Sequence, residues 1–351
     1  MRGLKNQIIA AGFGAFRASG LHRLAARWTR GLGAILMFHR VRPWTPRDFA
    51  PNRLLEITPG FLESVVIRLR AQGFDIVSLD EALPRIETGE GKPFAVLTFD
   101  DGYRDTVEHA LPVLERHGAP FTVYATTGYA EGTGRLWWEE LEAALARLDM
   151  IDLPLADGGR LRLPAATARQ KAQAFETIYW TLRPGPEEQL LDAAAQLARQ
   201  AGVDAAALTW RACLDYEGLA ALAAHPLCTI GAHSLTHAML AKHDGATARR
   251  EIALSRDILK KKLGCAIRHF AYPVGDPGSA GPRDFALCRE LGFASAVTTR
   301  PGMIFPEHRD HLFALPRLSV NGLWQEAAFI DVLLSGAPFA LWNRGRRLNV
   351  A

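Results

Sequence analysis

"TFDDGYRD", Thr98 to Asp105, sets two adjacent carboxylates, Asp100 and Asp101, between an apolar run and a glycine. The run before them, "FAVLTF" (Phe94 to Phe99), has the β-branched and aromatic make-up of a buried strand, so the two acids fall where that strand ends. Carboxyl ends of strands are where α/β enzymes keep their reactive groups.

Outward from that point the same kind of run recurs: "ILMFHRV" (35–41), "FDIVSL" (74–79), "FTVYAT" (121–126), "CTIGAH" (228–233), "HFAYPV" (269–274), "FASAVTT" (293–299) and "LFALPRL" (312–318). Segments of helix length, such as 61–72, 104–117, 245–263 and 282–291, lie between most of them. The alternation predicts an α/β chain of repeated βα units, seven or eight strands closing an irregular barrel. It breaks over 128–225, where "LWWEELEAALARL" and "PEEQLLDAAAQLARQAG" read as helices, no strand is evident and "DGGRLRLPAATA" resembles a linker. The expected organisation is a basic amphipathic segment (1–32), a barrel (33–127 and 226–320), a helical insertion acting as lid or subdomain (128–225) and a helical tail (321–351).

The 351 residues, 48% hydrophobic and 22% charged, describe a globular chain. Cys213, Cys228, Cys265 and Cys288 are scattered without a CxxC pair, which excludes a disulfide framework and a cysteine zinc site and leaves core thiols. No acidic residue precedes Asp48, while Arg2, Lys5, Arg17, Arg23, Arg27 and Arg30 alternate with Leu4, Ile8, Ile9, Phe13, Phe16, Leu21, Leu24 and Trp28. Residues 1–30 therefore suit an anionic membrane surface, or else a helix packed on the protein's own body. A secretory signal fits less well, because arginine follows "IIAAGFGAF" and no A-x-A site is evident; the stretch is also too short to span a bilayer. The expected location is cytoplasmic, at the inner face of the membrane. Nucleic acid is not an expected partner, since no recognition motif accompanies the +4 net charge and the aromatics sit in apolar runs.

"TIGAHSLTHAML" puts His233 at a strand end and His237 four residues later. If Ser234 opens a helical turn, the two imidazoles converge to the separation that one metal ion bridges. An HxxxH pair alone is a weak signal; with an aspartate from another strand end it makes a three-ligand site with an open position, the arrangement of catalytic zinc. One acid then binds the ion, and the other takes a proton from the water that the ion activates.

Together, "TFDDGYRD", "HSLTH" and "RHFAYPVGD" resemble the first three motifs of the polysaccharide deacetylases of the NodB type, metal-dependent carbohydrate esterases built on an irregular (β/α) barrel. The resemblance runs from Gly33 to Leu318, interrupted by the insertion. It implies Asp100 as catalytic base; Asp101, His233 and His237 as ligands of zinc or another divalent first-row metal; and a backbone N–H near Tyr272 for the oxyanion, with Tyr272 and Pro273 beside substrate or oxyanion. The implied substrate is a glycan containing N-acetylhexosamine. Two departures stand out. Ala271 occupies the place of the family's arginine, for which Arg268 and, preferred, Arg317 of "LPRL" are replacements; and no histidine follows His311, where the family's general acid is found. "ILMFHRV" resembles the "YHRV" strand of the branch that includes the poly-N-acetylglucosamine deacetylases, which implies His39 as the acid; otherwise His39 is a half-buried strand residue. Trp137 and Trp138 of "RLWWEEL" either stack on sugar rings or anchor the insertion. Alternative readings are a deformylase or amidase acting on a lipid-linked sugar and a non-catalytic glycan-binding homologue; a metal-dependent phosphoesterase lacks its usual second metal cluster.

Overall fold

The structure, a computed structural model, describes residues 11–155 and 158–350. The part of the basic N-terminal segment that carries Arg2, Leu4, Lys5, Ile8 and Ile9 lies outside the described residues. Twelve strands are described: β1 (Gly33–Phe38), β2 (Arg40–Val41), β3 (Glu56–Ile57), β4 (Asp75–Ile76), β5 (Phe94–Phe99), β6 (Phe121–Ala125), β7 (Met150–Pro154), β8 (Arg160–Pro164), β9 (Cys228–Ala232), β10 (His269–Ala271), β11 (Ser295–Pro301) and β12 (Leu315–Ser319). The principal sheet runs β1-β12-β11-β10-β9-β6-β5, and β5 pairs back onto β1, closing a seven-stranded parallel barrel. The eighth strand expected at 74–79 is reduced to β4, a two-residue stub on β5.

Alternation along the strands sorts their side chains. Ile35, Phe94, Val96, Tyr124, Val297 and Leu315 form one cluster inside the ring, whereas Leu36, Phe38, Leu97, Phe99, Val123 and Leu318 join the larger core under the surrounding helices. The next inward positions at the carboxyl ends are Met37 on β1 with His39 just past its end, Thr98 on β5 with Asp100 just past its end, and Arg317 and Ser319 on β12. Met37 pairs with Thr98 and Phe38 with Phe99, and the Asp100 N–H donates to the Phe38 carbonyl at 3.0 Å, so His39 and Asp100 leave their strands at one level.

Between β6 and β9 the chain builds helices Thr127–Ala130, Trp137–Arg147, Ala168–Leu182, Glu187–Gln200, Ala205–Ala212 and Tyr216–Ala223 around a core of their own that includes Leu141, Leu145, Ile178 and Leu197. It is not purely helical. β7 and β8 pair antiparallel, with β8 inside the stretch that reads as a linker, and the "DGG" written between the two alternating runs is a hairpin signal present in the sequence.

Candidate active site

The carboxyl ends of the strands surround a cavity of about 460 Å3. His39, Asp100, Asp101, His233 and His237 line it, joined by Trp137, Trp138, Phe175 and Tyr179 from the inserted helices. Four residues at this end have left-handed backbone: Asp101 (φ 72°), Ser234 (φ 60°), His237 (φ 65°) and Val274 (φ 60°). Among the described residues only one other non-glycine, Arg344, shares that conformation. A Cβ disfavours it, most of all in valine, so surrounding bonds must hold these positions. Gly102 (φ 66°) follows Asp101, and the two left-handed residues together turn the chain sharply out of β5. Asp100 thus keeps the strand's inward direction while Asp101 swings towards the histidines.

The HSLTH turn is not helical, contrary to its four-residue spacing, because Ser234 and His237 are both left-handed. Its shape comes from hydrogen bonds. His237 N–H donates to Ser234 Oγ at 2.9 Å, and the N–H groups of Leu235 and Thr236 donate to Glu251 Oε2 at 3.0 and 2.9 Å. Glu251 escaped the sequence reading, yet it stands on the buried stripe Ala248, Glu251, Ile252, Ser255, Leu259 of helix Gly245–Leu263, a charge where the period calls for an apolar residue.

His233 Nδ1–H donates to the Ala271 carbonyl at 2.7 Å, which fixes the tautomer and leaves Nε2 as a bare lone pair. The Nε2 atoms of His233 and His237 lie 3.4 and 3.3 Å from Asp101 Oδ1, with one ligand atom of each residue within 4.8 Å of the others. Asp101 Oδ1 is buried and has no hydrogen-bond partner among the described residues. A lone pair aimed at a carboxylate oxygen is repulsive, and a cation between them resolves it. The electrostatics show that positive charge is favoured at this point, and without an ion a proton on an imidazole is what can supply it. Burial works to raise the Asp101 carboxyl and to lower His233, but the histidines hold Asp101 well below the usual carboxylate range, and Asp101 and Asp100 lift His233 above its ordinary value. One carboxylate and two imidazoles, steadied from behind by Ala271 and Glu251, fit a divalent ion.

Asp100 faces Arg317. Nη1 and Nη2 donate to Oδ1 and Oδ2 at 2.7 Å each, while Nε donates to the Thr298 carbonyl at 2.8 Å and Nη1 also reaches Thr98 Oγ1 at 3.1 Å. Burial opposes ionisation of Asp100, but the guanidinium outweighs it and the carboxyl is held below its usual range. Arg268, the other replacement considered, instead pairs with Asp80 at 3.0 Å, away from the cavity. His39 lines the cavity, and burial first, then Arg317 and His233, lower its pKa against the pull of Asp101 and Asp100.

Trp137 and Trp138 both line the cavity and anchor the insertion. Trp138 Nε1–H donates to Tyr103 OH at 3.1 Å, its carbonyl accepts from Asn52 Nδ2, and Trp137 stacks on Tyr179 with ring centroids 5.6 Å apart. Tyr272 and Pro273 do not reach the cavity. The Tyr272 N–H is spent on the Val297 carbonyl and its hydroxyl on Phe313, and proline has no N–H, so neither supplies an oxyanion donor; Val274 is the residue of that loop that lines the cavity. Sequence reading also missed a clasp behind the wall. Arg183 Nη2 donates to both Asp276 carboxylate oxygens at 3.2 and 3.0 Å, and Glu187 accepts from Met239 N–H and lies 2.7 Å from His243 Nε2.

Residues 88–148 and 171–293, a little over half of the chain, match the polysaccharide deacetylase family. The chain belongs to the polysaccharide deacetylase family. Membership supports deacetylation of glycans; the family is metal-dependent, and Asp101, His233 and His237 are a set that could hold a metal ion. No curated protein matches the sequence. Solved structures share the fold. IcaB from Ammonifex degensii aligns with a TM-score of 0.53 at 18% identity over 86% of this chain and 97% of its own. The Streptococcus pyogenes deacetylase PplD gives 0.50 at 18% identity over 82% and 92%. A de-N-acetylase from Aggregatibacter actinomycetemcomitans gives 0.50 at 13% identity over 86% and 99%.

Proposed function

We propose that this chain hydrolyses the N-acetyl group of an N-acetylhexosamine in a glycan, with Asp101, His233 and His237 holding a divalent first-row ion, zinc being the one best suited to that donor set. The observation that carries this reading is the meeting, in one cavity, of an arginine-clamped Asp100 with a carboxylate and two imidazoles that share no hydrogen bond. When bound, the ion supplies Lewis acidity to the acetamide carbonyl and raises the acidity of water.

The protein's own groups do the rest. Asp100, ionised and held at both oxygens by Arg317, takes a proton from the attacking water. His39 gives a proton to the amide nitrogen as its bond to carbon breaks, so that water is consumed and a free amine and acetate leave. Since the His39 pKa is lowered in the free protein, this role requires the ring to take up a proton from solvent during turnover, when negative charge develops at the carbonyl, and Asp100 balances it by releasing to solvent the proton it took from water. The rings of Trp137, Trp138 and Tyr179 offer apolar faces to a pyranose.

The test is acetate release from N-acetylglucosamine oligomers and from a lipid-linked N-acetylhexosamine, with metal content measured and a chelator control. Chelator-sensitive release supports the reading. Asp100→Asn is expected to abolish release with metal retained, and Asp101→Asn to lose the metal; the reverse pattern would exchange the two roles. Stoichiometric metal without release from either substrate would refute the N-acetylhexosamine assignment.

A further inference from the structure

Helix Leu21–Thr29 packs the unexpected way round. The side turned to the body carries His22, Ala25, Ala26 and Thr29, while Leu21, Leu24 and Trp28, at i, i+3 and i+7, form a stripe exposed at 53%, 50% and 65%. An amphipathic helix ordinarily buries its large apolar stripe. Helix Ala337–Trp342 lies against it, joined through Thr29 Oγ1–H donating to the Ser335 carbonyl at 2.6 Å and through Gly336, where any Cβ would collide with the Thr29 carbonyl. That second helix exposes Leu341 at 79% and Trp342 at 71%. Five of the twelve exposed large hydrophobic side chains among the described residues thus gather on two adjoining short helices, far from the scatter expected of a solvated surface.

The charge is one-sided as well. Arg23, Arg27, Arg344 and Arg346 are exposed on the same two segments, and neither 11–47 nor 332–350 contains an acidic residue. Indole rings and leucines rimmed by guanidinium groups suit the boundary between acyl chains and lipid phosphates. A second copy of this chain would present the same positive charge and be repelled. Among the described residues no helix is long and apolar enough to cross a membrane. The layer adjoins the catalytic cavity: an apolar cavity of about 350 Å3, lined by Phe13, Trp324, Phe329 and Trp342, shares Ser319 with it.

We propose that Leu21, Leu24 and Trp28 together with Leu341 and Trp342 form a single face that docks the protein on an anionic lipid bilayer. The test is flotation of the full chain with phosphatidylcholine vesicles containing phosphatidylglycerol and with pure phosphatidylcholine vesicles. Binding is expected to the anionic vesicles only and to weaken as salt is raised. Leu24→Glu with Trp28→Glu, and separately Leu341→Glu with Trp342→Glu, are each expected to weaken that binding by about tenfold or more. These side chains are exposed, so circular dichroism and the melting temperature are expected to stay at wild-type values and show that the fold is intact. Failure of the wild type to bind anionic vesicles overturns the proposal, as does binding that survives both pairs of substitutions. Concentration-dependent self-association that the same substitutions abolish, without vesicle binding, would assign the face to a second copy instead.

Discussion

Arg317→Met tests whether the Asp100 carboxylate depends on one buried cation. Arg317 and Asp100 are exposed at 1% and 2%, and two hydrogen bonds of 2.7 Å join them. Methionine removes these bonds and those to Thr298 and Thr98, and it leaves a buried carboxylate without its cation. Breaking a buried pair by removing one partner costs about 3–5 kcal/mol, a large part of the roughly 5–15 kcal/mol that holds a domain together. Most of that cost comes from the stranded charge, so Asp100→Asn added to Arg317→Met is expected to recover about 2 kcal/mol or more. Urea denaturation of the four proteins of this cycle, all free of metal, measures both quantities. A single-variant cost below about 1 kcal/mol, or a double variant less stable than Arg317→Met alone, would show that the pair is not an uncompensated-charge problem and that water or another cation reaches Asp100.

Glu251→Gln keeps the size of the side chain that shapes the HSLTH turn but weakens its acceptor, and metal affinity, read by titration with a chelating dye, is expected to fall about 10–100-fold; unchanged affinity would mean that the turn holds its shape without that charge. Arg183→Ala unlocks Phe175 and Tyr179 from the barrel loops through the lost contacts to Asp276 and Ser279, so KM is expected to rise severalfold with metal content unchanged, whereas a fall in kcat alone would assign the clasp to chemistry. His308 is fully buried, and its Nδ1 accepts from the Phe305 N–H; burial first, and His311 after it, lower its pKa to about 4. Below about pH 6.5 the unfolded chain binds a proton that the folded ring refuses, so stability is lost as pH falls from there to about 4, by ~3 kcal/mol in all. His308→Gln is expected to flatten that part of the profile in urea melts, and parallel profiles would exclude the residue as its cause.

What the sequence makes legible follows from how local the physics is. β5 can be read to the residue because both its faces are buried: every position from Phe94 to Phe99 is removed from water, and the run stops at a charge. The turn at His233 to His237 can be located but not shaped, since a four-residue spacing suits a helical turn and a left-handed loop alike, and the choice rests with Glu251, in a helix further along the chain. The partner of Asp100 is harder still, being 217 residues away, and only the closure of the barrel by β12 brings it back. β7 and β8 escaped for the opposite reason: with β8 only half-buried at best, their alternation is weak, although the turn between them is plainly written. Helix Leu21–Thr29 shows the limit most sharply. Its pattern announces two unlike faces, and both a packed helix and a membrane-surface helix satisfy that pattern. The choice falls to its neighbour: Gly336 and Ser335 close directly on Thr29, so the face that carries Thr29 and the alanines goes inward and the leucines and tryptophan are left for another apolar phase.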